Sequence, residues 1–121
     1  MKEKILLAED DVTMRGLLKT LLEIEGFEVT LSDVRGENIA ELISLTQPHF
    51  LILDYHLRNI SGIDILNSIK RIPDIHFPIV LMTSGEDRKE QCLEAGADGF
   101  ILKPYMPDEL INWLRERKRS E

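Results

Sequence analysis

The stretch Phe50-Leu51-Ile52-Leu53-Asp54 decides how the rest of the chain is read. Four apolar residues follow one another with no polar alternation, the pattern of a strand covered on both faces. Pro48 marks its start, because the proline ring disfavours helix in the residue before it. The run ends on a carboxylate. A charge at the tip of a buried strand is costly unless something pairs with it or binds it. In an open α/β sheet the carboxyl ends of the strands are also where ligands bind. Asp54 is therefore the first residue that needs a functional explanation.

Lys4-Ile5-Leu6-Leu7-Ala8 is a second continuous apolar run, followed at once by Glu9, Asp10 and Asp11. Met14, Leu17, Leu18, Leu21 and Leu22 then recur at helical spacing, with Asp11 as N-cap and Gly26 as the stop. Phe27-Glu28-Val29-Thr30-Leu31 alternates, as an edge strand does. Ile39, Leu42, Ile43 and Thr46 form a short amphipathic helix before Pro48. Past Asp54, Gly62 opens a helix with Ile65, Leu66 and Ile69 inward. Ile79-Val80-Leu81-Met82 is a buried strand ending at Thr83, and Ser84 is placed to cap the next helix, with Asp87 three residues on. That helix carries a thin stripe of Cys92 and Ala95 and stops at Gly96. Gly99-Phe100-Ile101-Leu102 is a last short strand, and Lys103-Pro104 follows it. Pro107, with Asp108 and Glu109 behind it, starts a final helix whose Leu110, Ile111 and Leu114 face inward. Five strands alternating with five helices predict an α/β fold: a parallel sheet with helices on both faces.

Composition bounds the function. The chain has 121 residues, 43% hydrophobic and 31% charged, as expected of one globular domain with one core. A net charge of −7 argues against general binding of nucleic acid or of an anionic membrane. Cys92 is the single cysteine, so neither a disulfide framework nor a Cys-rich zinc site is expected. Cys92 reads as a packing residue. His49, His56 and His76 lack a metal-ligand spacing and read as surface or loop residues. No run approaches the roughly 18 apolar residues of a membrane span, and the N-terminus lacks the pattern of a signal peptide. The expected compartment is the cytoplasm. The segment 115–121 reads as the end of the last helix, its basic residues meeting the helix dipole, or as the start of a linker to an output domain.

Four strands thus end in chemically loaded residues: Glu9-Asp10, Asp54, Thr83 and Lys103. One parallel sheet brings them to one edge. Each alone means little, since an acid after a strand is usually a turn or cap residue and Lys-Pro occurs by chance. All four in this order, on this alternation, are a strong signal. Crowded carboxylates raise one another's pKa, and a hard divalent cation removes the conflict. Mg2+ prefers oxygen ligands, uses one or two carboxylates and keeps several waters. An ammonium and a hydroxyl beside it suit a phosphoryl group, and a carboxylate can be the nucleophile that accepts it.

These residues resemble the receiver domain of bacterial two-component response regulators. The resemblance covers essentially the whole chain, 1–121. It rests on Ile5 to Asp11, Leu51 to Asp54 with Gly62 eight residues later, Val80 to Thr83, and Ala95 to Phe100 running into Lys103-Pro104. It implies a flavodoxin-like, doubly wound sheet of order 2-1-3-4-5. It implies Asp54 as phosphoacceptor, Asp10 as a direct Mg2+ ligand, Glu9 acting through water, and the backbone carbonyl of His56 as a further ligand. It implies Lys103 as the phosphate-contacting lysine before a cis bond to Pro104, and Thr83 with Phe100 as the switch pair. The donor would be a histidine kinase or a histidine phosphotransfer protein. The output, an unknown domain or protein, would read the last two helices and the last strand. The chain would catalyse only its own phosphorylation and dephosphorylation, as a monomer or weak dimer.

The chain departs from the family pattern at several positions. Arg58 stands where Pro is usual, which predicts a looser 58–61 segment and a cation near the site. Gly85 gives no cover to a phosphoryl group, and His56 stands at the matching position after Asp54. Gly99 and Trp113 replace the usual Asp and Arg of a charge-paired dimer face, and Trp113 is expected at the border of the core, close to Phe100. Three rival readings fit less well. A haloacid-dehalogenase-type phosphatase needs an acid where His56 stands. A flavodoxin-like flavin protein needs a Ser/Thr/Gly-rich loop where the acids stand. A receiver-fold module that is never phosphorylated has no need of intact Asp10, Asp54, Thr83 and Lys103.

Overall fold

The apolar strand β3 (Phe50–Asp54) is buried along its whole length and lies at the centre of a five-stranded parallel sheet. The computed structural model describes residues 2–32, 39–58 and 60–119, the side chains of 118 and 119 excepted. In chain order the other elements are β1 (Lys4–Ala8), α1 (Val12–Ile24), β2 (Glu28–Leu31), α2 (Ile39–Thr46), α3 (Gly62–Lys70), β4 (Ile79–Ser84), α4 (Lys89–Glu94), β5 (Gly99–Leu102) and α5 (Pro107–Arg119). The strand order is β2-β1-β3-β4-β5, as the resemblance implied.

The unbroken apolar runs serve two cores, because successive residues of a strand point to opposite faces. Leu6, Ala8, Leu51, Leu53, Val80 and Met82 pack with Ile39 and Ile43 of α2, Ile65, Leu66 and Ile69 of α3, and Cys92 of α4. On the other face Ile5, Leu7, Phe50, Ile52, Leu81 and Ile101 pack with Leu18 and Leu22 of α1 and Leu110, Ile111 and Leu114 of α5. Burying each such side chain contributes about 1.5–3 kcal/mol, so the sheet is held by the hydrophobic effect on both sides. The alternating β2 is the edge strand beside β1, with Val29 buried and Glu28 and Leu31 exposed.

The structure corrects three expectations. Ser84 does not cap α4. It is the last residue of β4, fully buried, because pairing with β5 continues through Ser84 and Leu102. Its hydroxyl accepts from Glu86 N, and α4 starts later, at Lys89. Leu17 keeps the helical spacing of α1 but faces outward; Leu18 and Leu22 carry the burial. Phe100 and Trp113 are not neighbours on one face. Phe100 packs on the α2–α3–α4 side of the sheet and Trp113 on the α1–α5 side.

Gly99 and Trp113 nevertheless explain each other. A Cβ at Gly99 would stand 2.4 Å from the Trp113 ring, so the indole lies directly on the β5 backbone and only glycine leaves it room. The guanidinium of Arg117 stacks on the ring at 4.4 Å from its centroid. Two departures from the family pattern are thus one packing substitution, and Trp113 caps the core while staying partly exposed.

Candidate functional site

The parallel register delivers the loaded residues to one edge. Ala8 pairs with Leu53, so Glu9 and Asp10 leave β1 beside the end of β3. Asp54 pairs with Thr83, and Ser84 with Leu102, which places Lys103 beyond the end of β5. The Lys103–Pro104 bond is cis. Gly62, at the start of α3, is needed because a Cβ there would lie 2.5 Å from the Asp54 carbonyl oxygen. Ser61 caps that helix by accepting from Asp64 N. The loop between Asp54 and α3 is therefore held tightly at both ends.

Glu9 and Asp54 are buried, 2% and 6% exposed, and both reach one ammonium. Lys103 Nζ lies 3.0 Å from Asp54 Oδ2 and 3.0 Å from Glu9 Oε1. Asp54 Oδ1 accepts from His56 N at 3.3 Å. Glu9 Oε2 accepts from Asp11 N at 3.0 Å, and Asp11 Oδ1 accepts from Met14 N at 2.9 Å. Of the three consecutive acids, Asp11 caps α1 and Glu9 meets Lys103. Burial, and then the charge of Asp54, hold the Glu9 carboxyl above its ordinary range against the opposing pull of Asp11 N–H and Lys103. Burial works to depress Lys103, but its bonds to Asp54 and Glu9 outweigh that and raise it.

Asp10 is different. Its Oδ1 is closed off from solvent and accepts no hydrogen bond, while Lys103 is spent on the other two carboxylates. An anionic oxygen without a hydrogen bond, on the residue that follows Glu9, suits a hard cation. Among the described residues, no three His, Cys, Asp or Glu side chains form a ready cage. Mg2+ needs only one or two carboxylates and fills its remaining positions with water and carbonyl oxygen. The residues present fit the ion.

Thr83 is buried beside Asp54, and Phe100 is half-buried on the α4 side. The expected looseness of 58–61 includes Asn59, which lies outside the described residues. Cys92 is a packing residue: it is fully buried, and burial pushes its thiol up to about 11.

Sequence reading missed a ring of contacts at the mouth. His56 Nε2 lies 3.1 Å from Glu86 Oε1, Arg88 reaches the same oxygen at 3.2 Å and covers the Tyr55 ring, and Tyr55 meets His56 edge to face. These residues sit in two loops, and only the pairing of β3 with β4 brings them together. Tyr105 was also missed. Its hydroxyl is buried without a hydrogen-bond partner, and burial, with the charges of Glu9 and Asp54, raises its pKa. Its place two residues past Lys103 was the available signal.

The family model described as response regulator receiver domain matches residues 5–115. The chain belongs to that family. This receiver is 36% identical over 116 residues to a protein described as probable transcriptional regulator ycf27 of Galdieria sulphuraria, covering 94% of this chain and 44% of that one. It is 32% identical over 123 residues to the DNA-binding response regulator MtrA of Mycobacterium tuberculosis, covering 98% and 52%. The receiver thus spans about half the length of the curated relatives it matches. A response regulator receiver domain protein (CheY-like) from Methanospirillum hungatei superposes with a TM-score of 0.86 at 27% identity, over 99% of this chain and 96% of that one. Receivers act in two-component systems, meet histidine kinases and output domains, and typically bind Mg2+ at their acidic pocket. No helix among the described residues is long and apolar enough to cross a membrane.

Proposed function

We propose that this receiver accepts a phosphoryl group on Asp54 from a phosphohistidine of a histidine kinase or histidine phosphotransfer protein, in a Mg2+-dependent reaction in the cytoplasm. The observation that carries the reading is the Lys103 ammonium, 3.0 Å from both Asp54 and Glu9, with an Asp10 oxygen that accepts no hydrogen bond at the same sheet edge. An Asp54 carboxylate oxygen forms the new O–P bond as the donor's N–P bond breaks. The leaving imidazole keeps the electron pair and takes a proton from solvent.

Asp10 and Asp54 would hold Mg2+ directly, Glu9 through water and His56 through its backbone carbonyl. The ion would neutralise charge on the transferring oxygens. Lys103 offers its ammonium to a phosphoryl oxygen as a point charge, and the Thr83 hydroxyl turns to donate a hydrogen bond. The acyl phosphate carries about −1.5 to −2 charge where a carboxylate carried less. That new charge draws Lys103 and Thr83, lets Phe100 turn inward, and shifts the surface of α4, β5 and α5 between two arrangements that pre-exist. The receiver catalyses only its own phosphorylation and dephosphorylation. It works as a monomer or weak dimer.

Incubation with Mg2+ and acetyl phosphate or phosphoramidate tests the reading by intact mass. One phosphoryl group should be added, and Asp54→Asn should prevent it, because the amide keeps the shape without the nucleophile. Labelling that survives this substitution, or that ignores removal of Mg2+, would overturn the reading.

A further inference from the structure

Lys103 divides its ammonium between Glu9 and Asp54 and leaves Asp10 to another cation. Arg58 Nε lies 3.9 Å from Asp10 Oδ1, the same oxygen that is closed off from solvent without a hydrogen bond. That separation is too long for a hydrogen bond, so the contact is Coulombic. Two cations therefore divide three carboxylates at this edge: Lys103 serves Glu9 and Asp54, and Arg58 serves Asp10. With Arg58 present, the cluster that faces an incoming divalent ion carries one negative charge less than its acids and Lys103 alone would leave.

We propose that Arg58 is a tethered counter-ion of Asp10 that competes with Mg2+, and so sets the concentration of divalent cation at which this receiver becomes competent. The proposal rests on the reading of Glu9, Asp10 and Asp54 as the Mg2+ site. A dication arriving at Asp10 must either push the guanidinium away or accept a positive charge a few ångströms off. Both lower its affinity. Arginine stays protonated throughout the working range, so the competition does not fade as pH rises. Neither partner is deeply buried; the Arg58 and Asp10 side chains are 63% and 37% exposed. Solvent and salt screen such a pair, which keeps the effect modest and makes it shrink at high ionic strength. Position 58 thereby becomes a determinant of metal affinity that acts through Asp10 without being a ligand itself.

Mg2+ titration of the full chain, followed by calorimetry and by the shift in unfolding midpoint, tests this without any phosphorylation step. Arg58→Ala should bind Mg2+ about two- to fivefold more tightly than the unsubstituted protein, with the gap closing as salt is raised. Arg58→Lys keeps the charge and should stay close to the unsubstituted protein, which separates charge from any change in loop conformation. Equal Mg2+ affinities with and without Arg58, in proteins that both bind the ion, would overturn this inference alone. Absence of Mg2+ binding from both would overturn the metal site and the inference with it.

Discussion

The two ends of one sheet use polar side chains in opposite ways. At the amino end, polar groups are spent on the backbone. His49 Nδ1 accepts from Lys4 N at 3.0 Å, His49 N donates to Lys4 O, and His49 O accepts from Ile79 N. One residue thus joins β1, β3 and β4. Asp98 Oδ2 accepts from Val80 N at 2.8 Å and ties the approach to β5 onto β4. At the carboxyl end, side chains face one another instead: Glu9 and Asp54 share one lysine, and Asp10 lies against Arg58. The amino end is largely satisfied by the fold itself, with Glu3 Oε2, closed off without a hydrogen bond 3.7 Å from His49 Nδ1, as the exception. The carboxyl end is left with like charges close together, an arrangement that stability alone would not select and that a cation or a phosphoryl group relieves.

The contrast can be broken by substitution at either end. The largest effect should come from Asp54→Asn, which should eliminate phosphorylation by small-molecule donors while leaving the fold intact by circular dichroism. Loss of the fold instead would mean that Asp54 is structural, like Asp98. At the amino end, Asp98→Ala removes a charge-assisted hydrogen bond to backbone and should destabilise by about 1.5–3 kcal/mol in urea unfolding, with phosphorylation retained. His49→Ala should cost about 1 kcal/mol for the same reason.

Glu9→Gln should act in the reverse direction. A carboxyl whose folded pKa is raised above the ordinary 4.5 favours the fold when protonated, and that contribution is lost as pH rises through the folded value. Without divalent cation, the amide should therefore raise the melting temperature at neutral pH by a few degrees, equivalent to ~1 kcal/mol, and weaken the gain seen on acidifying from neutral pH. Mg2+ should stabilise this variant less than the unsubstituted protein. A lower melting temperature would show that the Glu9–Lys103 pair outweighs the crowding.

The smallest effect sharpens the picture at the mouth of the site. A Cβ at Gly85 meets nothing within 4 Å, so Gly85→Glu should leave stability within about 0.5 kcal/mol. The added side chain would stand beside the His56–Glu86 contact and should change the lifetime of the phosphorylated state severalfold by altering access of water. Identical decay of the two phosphorylated proteins would show that position 85 does not gate water.

Local pattern alone was enough for much of this molecule. Unbroken runs at 5–8, 50–53 and 79–82 could only be strands covered on both sides, because every second residue would otherwise leave an apolar side chain in water. Their carboxyl ends then had to share an edge, which is why Glu9, Asp10, Asp54, Thr83 and Lys103 could be named together before any contact was known. Where pattern and pairing competed, pairing won: Ser84 is chemically a good helix cap, yet hydrogen bonding to β5 draws it into β4.

Which carboxylates share Lys103 and which is left to Arg58 depends on distances of a few ångströms between loops far apart in the chain, and periodicity carries no such distances. The same holds for His56 with Glu86, and for the Trp113 ring lying on Gly99. Spacing was enough for the strands, their covered faces and the edge where the charged residues gather, since burial of apolar residues is written in it. The division of charge along that edge came from packing in three dimensions, because Coulomb energy depends on where side chains end in space and not on their order in the chain.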